Sequence, residues 1–520
     1  MSQAVDYSLY LVTDSTMIPE SCTFLGQVEQ AIDNGATIIQ LREKSLSTLD
    51  FIERAEKVHE LTKKRGIPLI INDRVDVALA IDAEGVHVGQ DDMPAKLVRK
   101  LIGNDKILGV TCSVPSEVEA VIEEGIADYV GLGTVYKTET KKNVTDPEGT
   151  GPIGVRKMLQ VLHRYNSIKE NKRISSVAIG GINHSNADKV MYQCSIPGQA
   201  IDGVAVVSCI MANEDAGKAT RELLVIIKSK PIWVNDTTDG RESDVRRVIA
   251  QLTESHPLVH HITNNVVKNF SANVTLAIGA SPIMSELPAE YEEFASGIPN
   301  IGLLLNLGTP TDELMAVFKH AILVYNKYGK PIVFDPVACG ATQARLERCR
   351  ILLNTGQFTV IKGNVGEIMG IWKLTSSYKA SDSDDSLMRG VDSVAKLTPE
   401  QIVEIGKKVS IDFKTMVVIT GPENYMIQDD KAFVVPGGSK LMGLVTGSGC
   451  SLGSTIAAFL AAKADGKEMI GNSFDAFKAV VNAVRLYNTA GSEAATRSET
   501  PASFMIDFVD QLYKLTNGTS

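Results

Sequence analysis

Cysteine is scarce in this chain and scattered where it occurs. The seven cysteines, at positions 22, 112, 194, 209, 339, 349 and 450, are odd in number and form no CxxC pair. That pattern offers neither a disulfide framework nor a zinc site, and it fits a reduced, cytoplasmic compartment. Long apolar runs are missing too: none approaches the roughly 20 residues needed to span a bilayer. Residues 1–14 lack the basic start and apolar core of a secretion signal. Positive charge is in deficit, with 52 Lys and Arg against 62 Asp and Glu for a net charge of −10. This balance argues against broad nucleic-acid binding while leaving room for local basic pockets. No Walker A lysine motif occurs, which argues against P-loop chemistry.

What is present is an ordinary globular composition, 44% hydrophobic and 22% charged, over 520 residues, too long for one typical core. In the first half, short apolar runs recur at 9–12, 38–41, 68–71, 85–88, 107–110, 129–132, 176–179 and 203–206. Stretches with helical periodicity separate them, as at 49–64 and 114–124. Eight such repeats in about 220 residues predict a (β/α)8 TIM barrel; a doubly wound sheet rarely needs eight equal repeats.

In such a barrel the chemistry sits at the C-terminal strand ends, and here those ends are polar. After Ile38 and Ile39 come Gln40, Arg42 and Lys44 at alternate positions, a spacing that places all three on one face of a strand. Amide, guanidinium and ammonium groups converging there suit a pyrophosphate. The third run ends in Asn72, Asp73 and Arg74, the fourth carries His87 and Asp92, and the fifth leads to Thr111 and Ser113. Asp73 and Asp92 can hold a hard divalent cation, Mg2+ foremost. Gly180, Gly181 and Ser208 follow the last two runs, where barrels commonly seat a phosphate on backbone N–H groups. Residues 137–150 are polar and long enough for a lid. Singly, each has a bland counterpart: Asp73 as a helix cap, the glycines as a turn, His87 as a barrel-lining residue.

The ordered set QLREK, IINDR, GVHVGQDD, TETK, AIGGI and VVS resembles thiamine-phosphate synthase across residues 7–227. The resemblance implies that Gln40, Arg42 and Lys44, with Asn72, Ser113 and Lys141, contact a pyrimidine diphosphate. It implies Mg2+ on Asp73 and Asp92, and a thiazole phosphate on Thr138, Thr140, Gly181, Val207 and Ser208. Family chemistry is dissociative: pyrophosphate leaves, and the thiazole nitrogen captures a pyrimidine-methyl cation. Arg42 and Lys141 are the side chains expected to matter most for that departure.

Residues 228–243 break the pattern with Pro, Gly and polar content and mark a linker between domains at 1–227 and 244–520. Beyond it, apolar strands are expected at 302–305, 332–334, 359–361, 416–419, 425–427 and 432–435, alternating at first with helices, as in an α/β layer sandwich. Residues 375–393 are polar and acidic and read as a surface insertion. The informative stretch is Val445 to Cys450, where small residues precede a helical run at 452–464 and leave backbone N–H groups open to an anion. Cys450 in that first turn is expected to have a lowered thiol pKa and to act as a base, or else simply to pack as a small apolar residue.

HITN, GASPIM, DPV, GNVGE, TG and TGSGC, in that order, resemble hydroxyethylthiazole kinase, of the ribokinase-like fold, over residues 245–517. The resemblance implies Met284 and Gly447 on a thiazole alcohol, Cys450 as catalytic base, Thr420 and Asn364 on ATP, and Asp335 and Glu367 on Mg2+. The family commonly has Arg before Gly-Asn, on the nucleotide phosphates; here Lys362 keeps the charge and loses the bidentate geometry. Together the halves imply consecutive steps of thiamine biosynthesis on small-molecule substrates, with ATP as co-substrate, in a homo-oligomer built on a kinase trimer. The rival reading is a thiamine-pathway ligand sensor or scaffold that kept a pocket and lost turnover.

Overall fold

The computed structural model describes residues 5–138, 146, 148–168, 172–234, 245–378, 397–462 and 476–518. The chain divides into two compact units, Met1–Pro231 and Ile232–Ser520.

The first unit is a closed barrel of parallel strands: β1 (Leu9–Val12), β2 (Ile38–Leu41), β3 (Leu69–Asn72), β4 (Gly85–Val88), β5 (Ile107–Cys112), β6 (Tyr129–Gly133), β7 (Ser175–Ile179) and, after a small hairpin of β8 (Ser195–Ile196) and β9 (Gln199–Ala200), β10 (Gly203–Val206). β10 pairs with β1, Leu9 opposite Val204, and so closes the ring. Period-2 alternation sorts the side chains. Leu9, Leu11, Ile39, Leu41, Val86 and Val88 face outward into the layer beneath the helices. Tyr10, Val12, Ile38, Ile70, Tyr129, Val177 and Ala205 fill the interior as a separate cluster. The helices form where the apolar period changes to that of a helix, and their ends carry the expected signals. Ser47 caps Thr48–Arg65 through a bond from Asp50 N, and Gly66 ends it in the left-handed region.

The second unit is one eight-stranded sheet in the order β12-β11-β13-β14-β15-β16-β17-β18. Its strands are β11 (Leu258–Ile262), β12 (Ser281–Ile283), β13 (Ile301–Asn306), β14 (Ile332–Asp335), β15 (Val360–Asn364), β16 (Met416–Thr420), β17 (Glu423–Gln428) and β18 (Lys431–Pro436). Pairing is parallel as far as β16 and antiparallel for β17 and β18. On one face, Ser448–Ala461 and Ala476–Ala495 pack into the main apolar cluster with Phe504, Phe508 and Leu512 of the last helix. Here β11 runs into the HITN motif and β12 lies inside GASPIM, where polar and small residues hide the strand pattern. No helix among the described residues is long and apolar enough to cross a membrane.

Candidate active sites

Each unit gathers polar side chains at the C-terminal ends of its parallel strands. In the barrel, β2 stops at Leu41, so the expected single strand face carrying Gln40, Arg42 and Lys44 is not formed. The backbone N–H of Arg42 is taken by Thr13 Oγ1 at 3.1 Å instead of by a neighbouring strand, and Arg42 and Lys44 lie on the loop beyond. Their charges still meet the rim. The Arg42 guanidinium lies 3.7 Å from Asp14, and the Lys44 ammonium ion-pairs with Asp73. Asn72 Nδ2 donates to the same Asp73 oxygen at 3.1 Å.

Asp73 is not a helix cap: it sits at φ 54°, a conformation that costs a non-glycine residue about 1–3 kcal/mol, one residue before the Arg74 cap position. Asp92 Oδ2 accepts from Gly89 N at 2.7 Å. Among the described residues no three His, Cys, Asp or Glu side chains form a cage. An ion at Asp73 and Asp92 would draw its remaining oxygens from water and phosphate, as Mg2+ ordinarily does. Carboxylate oxygens are the donor type such an ion takes. Gly180 and Gly181 follow β7 at φ 102° and 66°, and a Cβ on Gly181 would stand 2.7 Å from Lys137 O. Val207 and Ser208 follow β10, with Ser208 opening a one-turn helix, and Ser113 N is held by Glu117 Oε2 at 2.5 Å. Thr138 is half-buried; Thr140, Lys141 and most of the 137–150 stretch lie outside the described residues, as does most of 375–393.

Below the rim a chain of hydrogen bonds runs through the barrel. Gln40 Nε2 donates to Tyr10 Oη at 3.0 Å, Tyr10 Oη meets Tyr129 Oη at 2.7 Å, and Tyr129 Oη meets His87 Nδ1 at 2.9 Å. His87 Nε2 then meets Thr111 Oγ1 at 2.8 Å. Gly109 makes room for it: a Cβ there would overlap the Tyr129 ring at 2.1 Å.

The second site is a polar chain that runs from the loop after β11 into the buried ends of β13, β14 and β15. Asn264 Nδ2 donates to Asn306 Oδ1 at 3.0 Å, and Asn306 Nδ2 donates to Asp335 Oδ2 at 3.2 Å. Lys362 Nζ donates to the same Asp335 oxygen at 2.9 Å and to Gly449 O at 2.8 Å. Burial alone would lower the Lys362 ammonium, but the facing Asp335 carboxylate holds it protonated. Asp335 is raised by its own burial, against the pull of Lys362, and its Oδ1 has no hydrogen-bond partner among the described residues. An orphaned carboxylate oxygen at full burial fits a cation. Glu367 is raised to about 7 by burial, with Asp335 adding repulsion. Its oxygens accept from Ala338 N at 2.9 Å and Asn364 N at 2.8 Å, while Asn364 Oδ1 accepts from Glu367 N: a capping box at the start of Val365–Trp372.

Cys450 lies in the first turn of Ser448–Ala461, which begins earlier than the expected 452. Its thiol is not lowered as expected. Burial and Asp335 push it up to about 11, and these outweigh the helix N-terminus, Lys362 and the Asn306 bond. Gly447 caps this helix at φ 92°, with Phe270 and Val267 3.3 Å from any Cβ placed there.

Two adjacent histidines on β11 hold the walls of this site. His260 Nε2 faces Ser285 O at 2.8 Å, beside Met284, and Nδ1 faces Tyr325 Oη at 2.9 Å. His261 Nδ1 faces Val259 O at 2.9 Å, and Nε2 faces Ser454 Oγ at 3.0 Å, one turn beyond Cys450. A carbonyl only accepts, so the protonated nitrogen is Nε2 in His260 and Nδ1 in His261. Burial pulls both down to about 4, so both rings are neutral at pH 7. Sequence reasoning missed His260 and Asn306; a polar residue closing the apolar run at 301–306 was the available signal. Thr420 closes β16, and Asn424 Oδ1 accepts from the neighbouring Gly421 N at 3.0 Å.

The family model described as thiamine monophosphate synthase matches residues 9–210, and that of the hydroxyethylthiazole kinase family matches residues 249–518. The "Thiamine biosynthetic bifunctional enzyme" of Saccharomyces cerevisiae is 41% identical, covering 99% of this chain and 96% of the relative. A "Probable thiamine biosynthetic bifunctional enzyme" of Schizosaccharomyces pombe is 37% identical over 100% and 97%. Among solved structures, the hydroxyethylthiazole kinase of Pyrococcus horikoshii OT3 is 29% identical with a TM-score of 0.44, covering 53% of this chain and 96% of that one. With a barrel, a kinase-type sheet and full-length likeness all in one polypeptide, the chain belongs to the family of bifunctional thiamine-biosynthesis enzymes, joining a thiamine-phosphate synthase to a hydroxyethylthiazole kinase.

Proposed function

We propose that the two units catalyse consecutive steps, the kinase unit phosphorylating 4-methyl-5-(2-hydroxyethyl)thiazole and the barrel joining the product to 4-amino-2-methyl-5-(diphosphooxymethyl)pyrimidine. The products are thiamine monophosphate and pyrophosphate. The observation that carries this reading is the Asp335–Lys362 pair set against the helix that bears Cys450.

In the kinase unit, Met284 and Gly447 seat the alcohol, Asn364 and Thr420 face ATP, and Lys362 stabilises charge on the phosphoryl group in flight. With its thiol pushed up to about 11, Cys450 is a base only as the thiolate, so the thiol must first lose its own proton to water before the sulfur takes the hydroxyl proton as the hydroxyl attacks the phosphoryl group. Mg2+ at Asp335 and Glu367 would screen the nucleotide phosphates. In the barrel, Arg42, Lys44 and Lys141 stabilise the departing pyrophosphate, and Mg2+ at Asp73 and Asp92 would add to that charge neutralisation. Gln40, Asn72 and Ser113 orient the pyrimidine diphosphate; Thr138, Thr140, Gly181, Val207 and Ser208 hold the thiazole phosphate. We take the domains as 1–227 and 244–520, with 228–243 as linker, in a cytoplasmic homo-oligomer built on a kinase trimer.

The test is a one-pot assay with thiazole alcohol, pyrimidine diphosphate, ATP and Mg2+, detecting thiamine monophosphate. Product should vanish without ATP and return with preformed thiazole phosphate. No product even from thiazole phosphate would leave the barrel as a binding module and overturn the reading.

A further inference from the structure

The hydrogen-bonded chain inside the barrel descends from Gln40 on β2 through Tyr10 and Tyr129, then climbs through His87 to Thr111 at the end of β5. Each tyrosine has one proton to give. Burial raises both phenols far above neutrality, so neither exists as a phenolate. The bonds must therefore all run one way. If His87 Nδ1 is unprotonated, Tyr129 donates to it, Tyr10 donates to Tyr129, and Tyr10 has only a lone pair left for Gln40. The Gln40 amide must then spend its N–H on Tyr10, which is the arrangement seen. A proton on His87 Nδ1 reverses every bond, and Gln40 would have to turn its oxygen down to Tyr10 instead.

No donor reaches Gln40 Oε1 among the described residues. We propose that His87, acting through Tyr129 and Tyr10, fixes which side of the Gln40 amide the pocket meets, and so selects a ligand that donates a hydrogen bond at that point. An exocyclic amino group on a heteroaromatic ring satisfies this; a ring carbonyl in the same place sets acceptor against acceptor. His87, Tyr129 and Tyr10 are thus positioning residues for specificity and act through Gln40. The identity of the ligand rests on the synthase reading above, whereas the polarity of the chain does not.

The experiment compares kcat/KM for the 4-amino pyrimidine diphosphate and its 4-oxo analogue, with preformed thiazole phosphate, in wild type, Y10F and Y129F. Wild type should favour the amino compound by about a hundredfold or more, because the oxo form leaves a buried acceptor unpaired. Y10F frees the amide to turn, and Y129F frees Tyr10 to donate upward; each should cut the amino-to-oxo ratio by about tenfold, with KM for thiazole phosphate unchanged. Equal losses on both analogues, leaving the ratio intact, would reduce these residues to packing and overturn the proposal. A second measurement needs no variant of the chain tested: 15N spectra of histidine-labelled full-length protein, with the His87 signal identified by its loss in H87Q. Nδ1 should appear unprotonated; a protonated Nδ1 overturns the proposal. If wild type makes no thiamine monophosphate, the synthase reading fails by itself, and the spectrum still decides the polarity of the chain.

Discussion

Replacing Lys362 by Met tests the centre of the kinase site. The side chains of Lys362 and Asp335 are 4% and 1% exposed, and their 2.9 Å contact is what makes a buried carboxylate tolerable. Met keeps most of the volume and removes the charge. Asp335 is left with Asn306 as partner and an unsatisfied Oδ1. Breaking a buried pair from one side costs about 3–5 kcal/mol, a large part of the roughly 5–15 kcal/mol that holds a domain together. The loss should depend on pH. Lys362 is the main influence lowering Asp335, so without it the folded pKa rises further above the unfolded value. A raised carboxyl contributes stability that is present at low pH and lost as pH rises through the folded pKa. The K362M defect should therefore shrink on acidification, by up to about 1.4 kcal/mol per pH unit. Adding Asp335→Leu should recover much of it, since a pair removed together is nearly neutral. Urea unfolding followed by tryptophan fluorescence reads this out, because both tryptophans, Trp233 and Trp372, belong to the second unit. A K362M defect below about 1 kcal/mol at pH 8, or one equal at pH 5 and pH 8, would refute the reasoning.

Cys450→Ala should cripple phosphorylation of the thiazole alcohol and spare synthesis from preformed thiazole phosphate, while Arg42→Ala should do the reverse; comparable loss of both activities in either variant would contradict separable sites. Glu367 is held up at about 7 against an ordinary 4.5, so its contribution to stability is present below 4.5 and is lost as pH rises through 7. Glu367→Gln should flatten that segment of the stability curve, and Mg2+ should stabilise wild type but not E367Q above pH 7 in thermal unfolding. His261→Ala unties Ser454 from β11; the expected cost is about 1–3 kcal/mol in unfolding and a lower kinase kcat, with synthase kinetics unmoved.

The barrel was legible almost strand by strand, because each strand is a short apolar run bounded by polar residues and the repeat occurs eight times. The end of β2 was not, since the alternation of Gln40, Arg42 and Lys44 continues past the point where Thr13 takes the Arg42 N–H. In the second unit, β11 and β12 escaped notice because two histidines interrupt the apolar run of the first and the second is only three residues long, with an exposed serine and a proline. The families were written in the motifs, yet the state of Cys450 was not. A helix N-terminus in sequence argues for a lowered thiol; only the fold shows Asp335 and the surrounding burial that reverse it. Likewise Tyr10, Tyr129 and His87 lie far apart along the chain, and nothing local announces that they touch.

On the Mg2+ role proposed above, Glu367 belongs at once to the architecture and to the chemistry. The same carboxylate that stands beside Asp335 closes the capping box that starts the helix Val365–Trp372, and its other oxygen fastens the loop after β14 at Ala338. A lineage that replaced this side chain would uncap a helix and loosen the loop that leaves β14 just after Asp335, whatever the replacement did for the proposed Mg2+ site. Position 367 is therefore pinned by two unrelated demands, and drift in this kinase must travel through its neighbours.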